Sequence, residues 1–282
     1  MTEQSKAPDG YLQQYDGFEK DWLSTSALAC FQQCPQKFEY RYIKRLPATV
    51  NVRMAAGIGA HKGRETNLSQ KVQSEDNIAL AEVCDVTRDA VHQKFAGAEY
   101  RSGKEFEGIS ERDARGIAID KAVDMVTVDY EDFQIELLPA HVELPIVVDY
   151  KSMSRLICGK LDVLDRADVI IDLKTGKRAK GQSWCDTAQG LTTYGMLFLC
   201  QFGRVPGGYQ VQNVVDKKAG PESITYETDR TKEELKQQLG RFARVERAIQ
   251  TGVFPPCNPE DWGCSKAWCP YWEHCEFFSG KE

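Results

Sequence analysis

Apolar residues recur at helical spacing through the first half of the chain and at alternate positions through much of the second. From Trp22, the residues Ala27, Leu28, Phe31, Phe38 and Tyr42 mark a helical stripe that Ser24, Thr25 or Ser26 can cap and that Leu46-Pro47 ends. Pro35 lacks the N–H a helix interior needs, so two short helices or a kink are expected there. Met54 to Leu68, Ile78 to Phe95 and Ile117 to Tyr130 carry the same period and predict three more helices, read as an α-helical insertion. From Ala140 the period falls to two, and His141 to Tyr150, Arg155 to Asp165 and Val169 to Lys174 predict three strands. Trp184 to Gln201 returns to helix, Tyr209 to Val215 and Ser223 to Thr228 predict further strands, and Lys232 to Gln250 a long amphipathic helix. Met1 to Lys20 is polar and reads as a loose tail, and Phe254 to Glu282 is irregular and cysteine-rich.

With 282 residues, 41% of them hydrophobic, the chain can bury a full core, and one large domain is favoured over two small ones. No stretch approaches the roughly 18 apolar residues that cross a bilayer, and the first 20 residues lack the apolar middle of a signal peptide, so a cytoplasmic protein with no membrane partner is expected. In a reducing compartment ten cysteines point to metal ligation rather than disulfides. Cys257, Cys264, Cys269 and Cys275 crowd near the chain end, whereas Cys84, Cys158, Cys185 and Cys200 stand singly and are expected to be buried small hydrophobes. The net charge of -6, from 36 basic and 42 acidic residues, argues against a protein that coats duplex DNA, and leaves room for a locally basic cleft.

Chemistry concentrates in Gly159-Lys160-Leu161-Asp162-Val163-Leu164-Asp165 and Val169-Ile170-Ile171-Asp172-Leu173-Lys174-Thr175-Gly176. Asp172 and Lys174 are two apart on a strand and share a face. A two-residue turn would pair Asp162 with Ile171, while a three-residue loop at Arg166-Ala167-Asp168 pairs it with Asp172, and the odd-length loop or a bulge is expected. Two carboxylates on adjacent strands suit a hard divalent cation, Mg²⁺ or Mn²⁺, and a lysine beside it can act on the attacking water or on charge at phosphate. An isolated D-x-K is more often a turn former with a solvated lysine; the whole run is more specific.

That run resembles the core of RecB-like nucleases in the PD-(D/E)XK superfamily, where a Gly-basic-aliphatic-Asp strand precedes Asp-x-Lys-Thr-Gly. The resemblance implies a restriction-endonuclease-like α/β fold, a mixed central sheet flanked by helices. Within 21–282 it places N-terminal helices (21–50), a helical insertion (70–135), a catalytic core (140–230) and a cysteine-rich segment (254–282). It implies that Asp162, Asp172, Leu173 and His61 hold the metal, His61 coming from Gly57-Ile58-Gly59-Ala60-His61-Lys62-Gly63. Lys174 would act in catalysis, with Glu143 as a further carboxylate. The same glycines fit neither a dinucleotide fingerprint nor a Walker A loop. Gln189 and Tyr194 match the family's Gln-x-x-x-Tyr with one residue too many between them, and imply contacts to DNA.

The segment from Leu28 to Tyr42, with Cys34-Pro35, resembles the opening of RecB-like nucleases that carry an iron-sulfur cluster. The resemblance implies a [4Fe-4S] cluster on Cys34, Cys264, Cys269 and Cys275, although Cys264-x4-Cys269 is two residues longer than the family spacing. Four thiolates also suit structural Zn²⁺, and Cys257 or Cys30 can substitute in the set. The implied activity is a DNA exonuclease or end-processing nuclease acting on single strands or free ends, as a homo-oligomer or with a recombination partner. A catalytically silent DNA-binding subunit and a zinc-stapled interaction module are the competing readings.

Overall fold

The computed structural model describes residues 21–278, and the expected tail at 1–20 lies outside them. A six-stranded mixed sheet, ordered β1-β3-β4-β5-β6 with β2 paired to β3, forms the central layer. Its strands are β1 (Trp22–Ser24), β2 (Pro139–Val148), β3 (Leu156–Asp165), β4 (Val169–Gly176), β5 (Gly208–Lys217) and β6 (Gly220–Thr228). One face is covered by α1 (Thr25–Gln33), α7 (Gln189–Phe202) and α8 (Lys232–Gln250), whose Leu28, Leu197, Phe198 and Phe242 pack with Ile157, Ile170 and Val211 of the sheet. The other is covered by α3 (Val52–Ser74), α4 (Leu80–Ala96) and α5 (Glu111–Asp129), with Ala56, Val91, Ala122 and Val126 packed towards Leu173 and Val214. This is the restriction-endonuclease-like α/β architecture that the resemblance implied. Among the described residues no helix is long and apolar enough to cross a membrane.

Local chemistry accounts for the boundaries. Ser24 caps α1 by accepting from Ala27 N–H, and Pro35 starts a separate short helix, α2 (Pro35–Phe38), after the extended Cys34. Thr231 and Glu234 form a reciprocal capping box on α8. Two expectations need correction. The helix expected over Trp184 to Gln201 is two, α6 (Gln182–Thr187) and α7, because Ala188 is extended at φ -60°, ψ 109°. Cys84, Cys158 and Cys185 are buried as expected, but Cys200 is exposed, on the outer side of α7.

The glycines of α3 explain why α3, α4 and α5 stack so closely on one another and α3 on β4. A Cβ at Gly63 would meet Thr87 Oγ1 at 2.3 Å and Val126 at 2.9 Å; one at Gly59 would meet Val91 at 2.7 Å; one at Gly57 would meet Thr175 Oγ1 at 2.8 Å. The run is therefore a packing device inside a helix. Across it lies a buried polar network, in which Arg64 of α3 pairs with Asp129 of α5 and donates to Gln212 of β5. At the rim, Arg53 holds Glu105 at 2.8 Å and Asp216 at 3.1 Å, and Lys121 meets Asp216 at 2.8 Å.

Two outcomes follow. Gly→Ala normally stabilises a helix interior by roughly 1 kcal/mol. Gly116→Ala in α5, with open space around it, should do so, whereas Gly63→Ala should cost about 1–3 kcal/mol by overpacking, read by urea denaturation. The Arg53 guanidinium, acting against burial and with Lys177, holds the Glu105 carboxyl down to about 2. A depressed folded-state value gives stability that is present above the ordinary carboxylate range and lost as pH falls towards 2. The urea midpoint should therefore drop between pH 5 and pH 2.5 more steeply in the wild type than in Glu105→Gln, and equal slopes would contradict the pairing.

Candidate active site

The loop between β3 and β4 is the three-residue one: Val163 faces Ile171 and Leu164 faces Ile170, a register whose continuation sets Asp162 opposite Asp172. The ladder stops there. On that edge of β3, β1 pairs with Leu156, Ile157 and Cys158 and β4 with Val163 and Leu164, so Gly159 to Asp162 lie between two partners. Asp162 does not simply project from one face, as strand alternation predicts. Its Oδ2 accepts the Leu173 N–H at 3.2 Å, taking the place of a ladder bond, and stands 3.7 Å from His61 Nδ1 of α3. Gly159 makes the opening close-walled, since a Cβ there would meet Leu197 of α7 at 2.4 Å.

Asp172 is 3% exposed, and its Oδ2 is ion-paired with the ammonium of Lys174. Burial raises the Asp172 carboxyl, opposed by Lys174 and reinforced by the Asp162 charge. Burial alone would lower Lys174, but Asp172 and Asp162 outweigh it and raise it. Glu143 lies on β2 opposite Asp162, between the pairs Val142 to Val163 and Leu144 to Leu161, and is ion-paired with Lys160. Its φ of 51° is left-handed in the middle of a strand, a conformation that costs about 1–3 kcal/mol for a side-chain-bearing residue and clusters at functional sites.

Two grooves meet at Lys160 and Asp162. One runs towards α3 and α4 past His61, Lys62 and Glu143; the other runs under α7 past Asp172, Lys174, Gln189 and Tyr194. The break at Ala188 starts α7 at Gln189, so both Gln189 and Tyr194 line this second groove despite the extra residue between them. Tyr194 is held well above the usual phenol range, by burial first and then by the Asp162 and Asp172 charges, and stays a hydroxyl. Sequence reasoning missed Lys160, which alternation from Asp162 could have found, and Trp184, for which no local signal existed. Among the described residues no group of three or more His, Cys, Asp or Glu side chains already stands as a metal site. The donors that can hold a hard cation here are the carboxylates of Asp162 and Asp172, the His61 imidazole and the main-chain carbonyl of Leu173, its side chain having no donor.

A second group of candidate ligands lies where the Cys34–Tyr40 region meets the cysteine-rich segment. Cys34, Cys257, Cys264, Cys269 and Cys275 line one small cavity walled by Tyr40, Trp272 and Phe278. Gln36 N–H donates to Pro255 O at 3.2 Å and Tyr40 Oη to His274 O at 3.0 Å, tying the N-terminal helices to the cysteine-rich segment. Burial, with the neighbouring Cys34 and Cys264 thiols, pushes Cys257 up to about 12. A thiol crowded out of water in this way ionises readily only beside a cation. Cys30 is buried behind them and does not line the cavity.

This sheet, the paired strand carboxylates and the lysine two residues on define a nuclease-type core. The match to the model of the PD-(D/E)XK nuclease superfamily runs over residues 22–276, and the chain belongs to that superfamily. In fold it is similar to a crystal structure from Eubacterium rectale named "Putative exonuclease", with a TM-score of 0.58, 12% identity, and coverage of 89% of this chain and 91% of that one. A structure named SSO0001, also 12% identical, covers 92% of this chain and 87% of that one at a TM-score of 0.42, too distant to carry an argument. No curated protein is significantly similar in sequence.

Proposed function

We propose that the chain is a Mg²⁺- or Mn²⁺-dependent deoxyribonuclease of the RecB-like branch, an exonuclease or end-processing enzyme that hydrolyses phosphodiester bonds in single strands or at free ends. The observation that carries this reading is the three-residue loop, which sets Asp162 opposite Asp172 with Lys174 in the same groove. Asp162, Asp172, the Leu173 carbonyl and His61 would hold the cation, which when bound would supply an activated water and neutralise charge on the scissile phosphate. Asp162 is fixed for this by the Leu173 N–H, and Glu143, opposite it, adds negative charge beside Lys160. The Lys174 ammonium, delivered by the same strand as Asp172, orients the water or meets charge developing on the phosphate oxygens. Gln189 and Tyr194 stand where they can position the substrate strand.

Asp172→Ala should abolish cleavage of end-labelled DNA. Lys174→Ala should slow turnover by roughly 100-fold or more, the usual loss when a positioned acid-base or charge-stabilising group is removed. A Lys174→Ala protein that cut at the wild-type rate would remove this hairpin from the chemistry.

The cysteine cavity is read as the seat of a [4Fe-4S] cluster on Cys34, Cys264, Cys269 and Cys275, with Cys257 the fifth thiol at the same cavity. Joining Cys34 to Cys264 closes nearly the whole chain, a cross-link whose loop entropy is roughly 5 kcal/mol, so the cluster is first a staple. Anaerobically purified protein should be brown and hold iron and sulfide in similar amounts. Cys34→Ser, Cys269→Ser and Cys275→Ser should bleach and destabilise it, while Cys84→Ser, on α4 facing Thr127 of α5, should keep its colour. Stoichiometric zinc without iron would replace the cluster with a structural zinc site.

A further inference from the structure

Trp184 lies in the groove that holds Asp172 and Lys174, on the six-residue helix α6. The residue is 37% exposed and, among the described residues, joins none of the hydrophobic core clusters. The helix that carries it is nevertheless firmly seated. Cys185 is fully buried and its carbonyl accepts from the Arg230 guanidinium, while Gln182 Nε2 donates to Glu227 O and to Asp186 Oδ1, each at 2.7 Å. A large aromatic is thus held in a fixed place outside the hydrophobic core. The Lys180 ammonium lies 5.3 Å from the centre of its ring.

An indole beside a lysine, in a groove that also carries Lys160 and Lys174, matches the chemistry of an unpaired nucleotide: the base stacks on the ring and the cations meet the phosphates. Inside an intact duplex the base faces are already stacked on their neighbours and have none to offer the ring. The net charge of -6 gives the protein little broad basic surface with which to hold a duplex instead. We propose that Trp184, backed by Lys180, is a base-stacking platform that selects an unpaired DNA strand and sets its backbone against the Asp172–Lys174 pair. This deepens, and rests on, the nuclease reading above.

The test is equilibrium binding of the full protein to a fluorescent oligothymidylate and to a blunt hairpin duplex, in Ca²⁺ to prevent cleavage, followed by cleavage of both in Mg²⁺ or Mn²⁺. Trp184→Ala should weaken single-strand binding by about 10-fold, in the range for one stacked base, and leave duplex binding as it is. Trp184→Phe should recover most of the loss, and an unchanged melting temperature in both variants shows that the fold is intact. Wild-type single-strand affinity in Trp184→Ala, or an equal loss on strand and duplex, would overturn the platform. A wild-type protein that shows the Trp184-dependent preference but cuts neither DNA would overturn the nuclease reading and leave the platform standing.

Discussion

The account depends on where β3 lets go of β4. Two residues of ladder, Val163 and Leu164, follow from a three-residue loop, and the strands part just as Asp162 comes opposite Asp172. Had the loop been one residue shorter, Asp162 would face Ile171, and its carboxylate would leave the site altogether. Because the ladder stops, the Leu173 N–H is free to hold Asp162, and grooves from the two sides of the hairpin reach the same pair of residues, Lys160 and Asp162.

The surrounding layers serve this opening. The α3 glycines let a helix lie close enough to β4 for Gly57 to press on Thr175 while His61, one turn on, reaches Asp162. Gly159 allows α7 to close the other side, bringing Tyr194 over the carboxylates. Some strain sits at the same place: Glu143 keeps a left-handed backbone beside Asp162, and Asp172 is a buried carboxyl whose ion-pair partner is Lys174. Stabilising elements stand apart from it, in the Arg64–Asp129 network between helices and sheet and in the contacts of Tyr40 and Gln36 with the C-terminal segment.

Much of this was legible in the chain because it rests on periodicity. The long helices and the strands from β2 to β6 carry regular apolar patterns, and the odd-length loop follows from requiring Asp162 and Asp172 to meet. What was illegible has no pattern to read. β1 is three residues with no alternation to count, and the break at Ala188 sits on a residue that by itself favours helix. The positive φ of Glu143 is a tertiary effect, and Cys200 is exposed because its side of α7 faces away from the core. Trp184 opened a predicted helical window with nothing to mark it. Only its place in the groove sets it apart.

The central claim, that Asp162 and Asp172 hold one cation between two strands, is tested most directly by calorimetric titration of Mn²⁺ into the wild type, Asp162→Asn, Asp172→Asn and the double variant. The account predicts that either single substitution removes the tightest site and that the double variant loses nothing further, since both carboxylates serve one ion. Wild-type Mn²⁺ affinity in either single variant would contradict it.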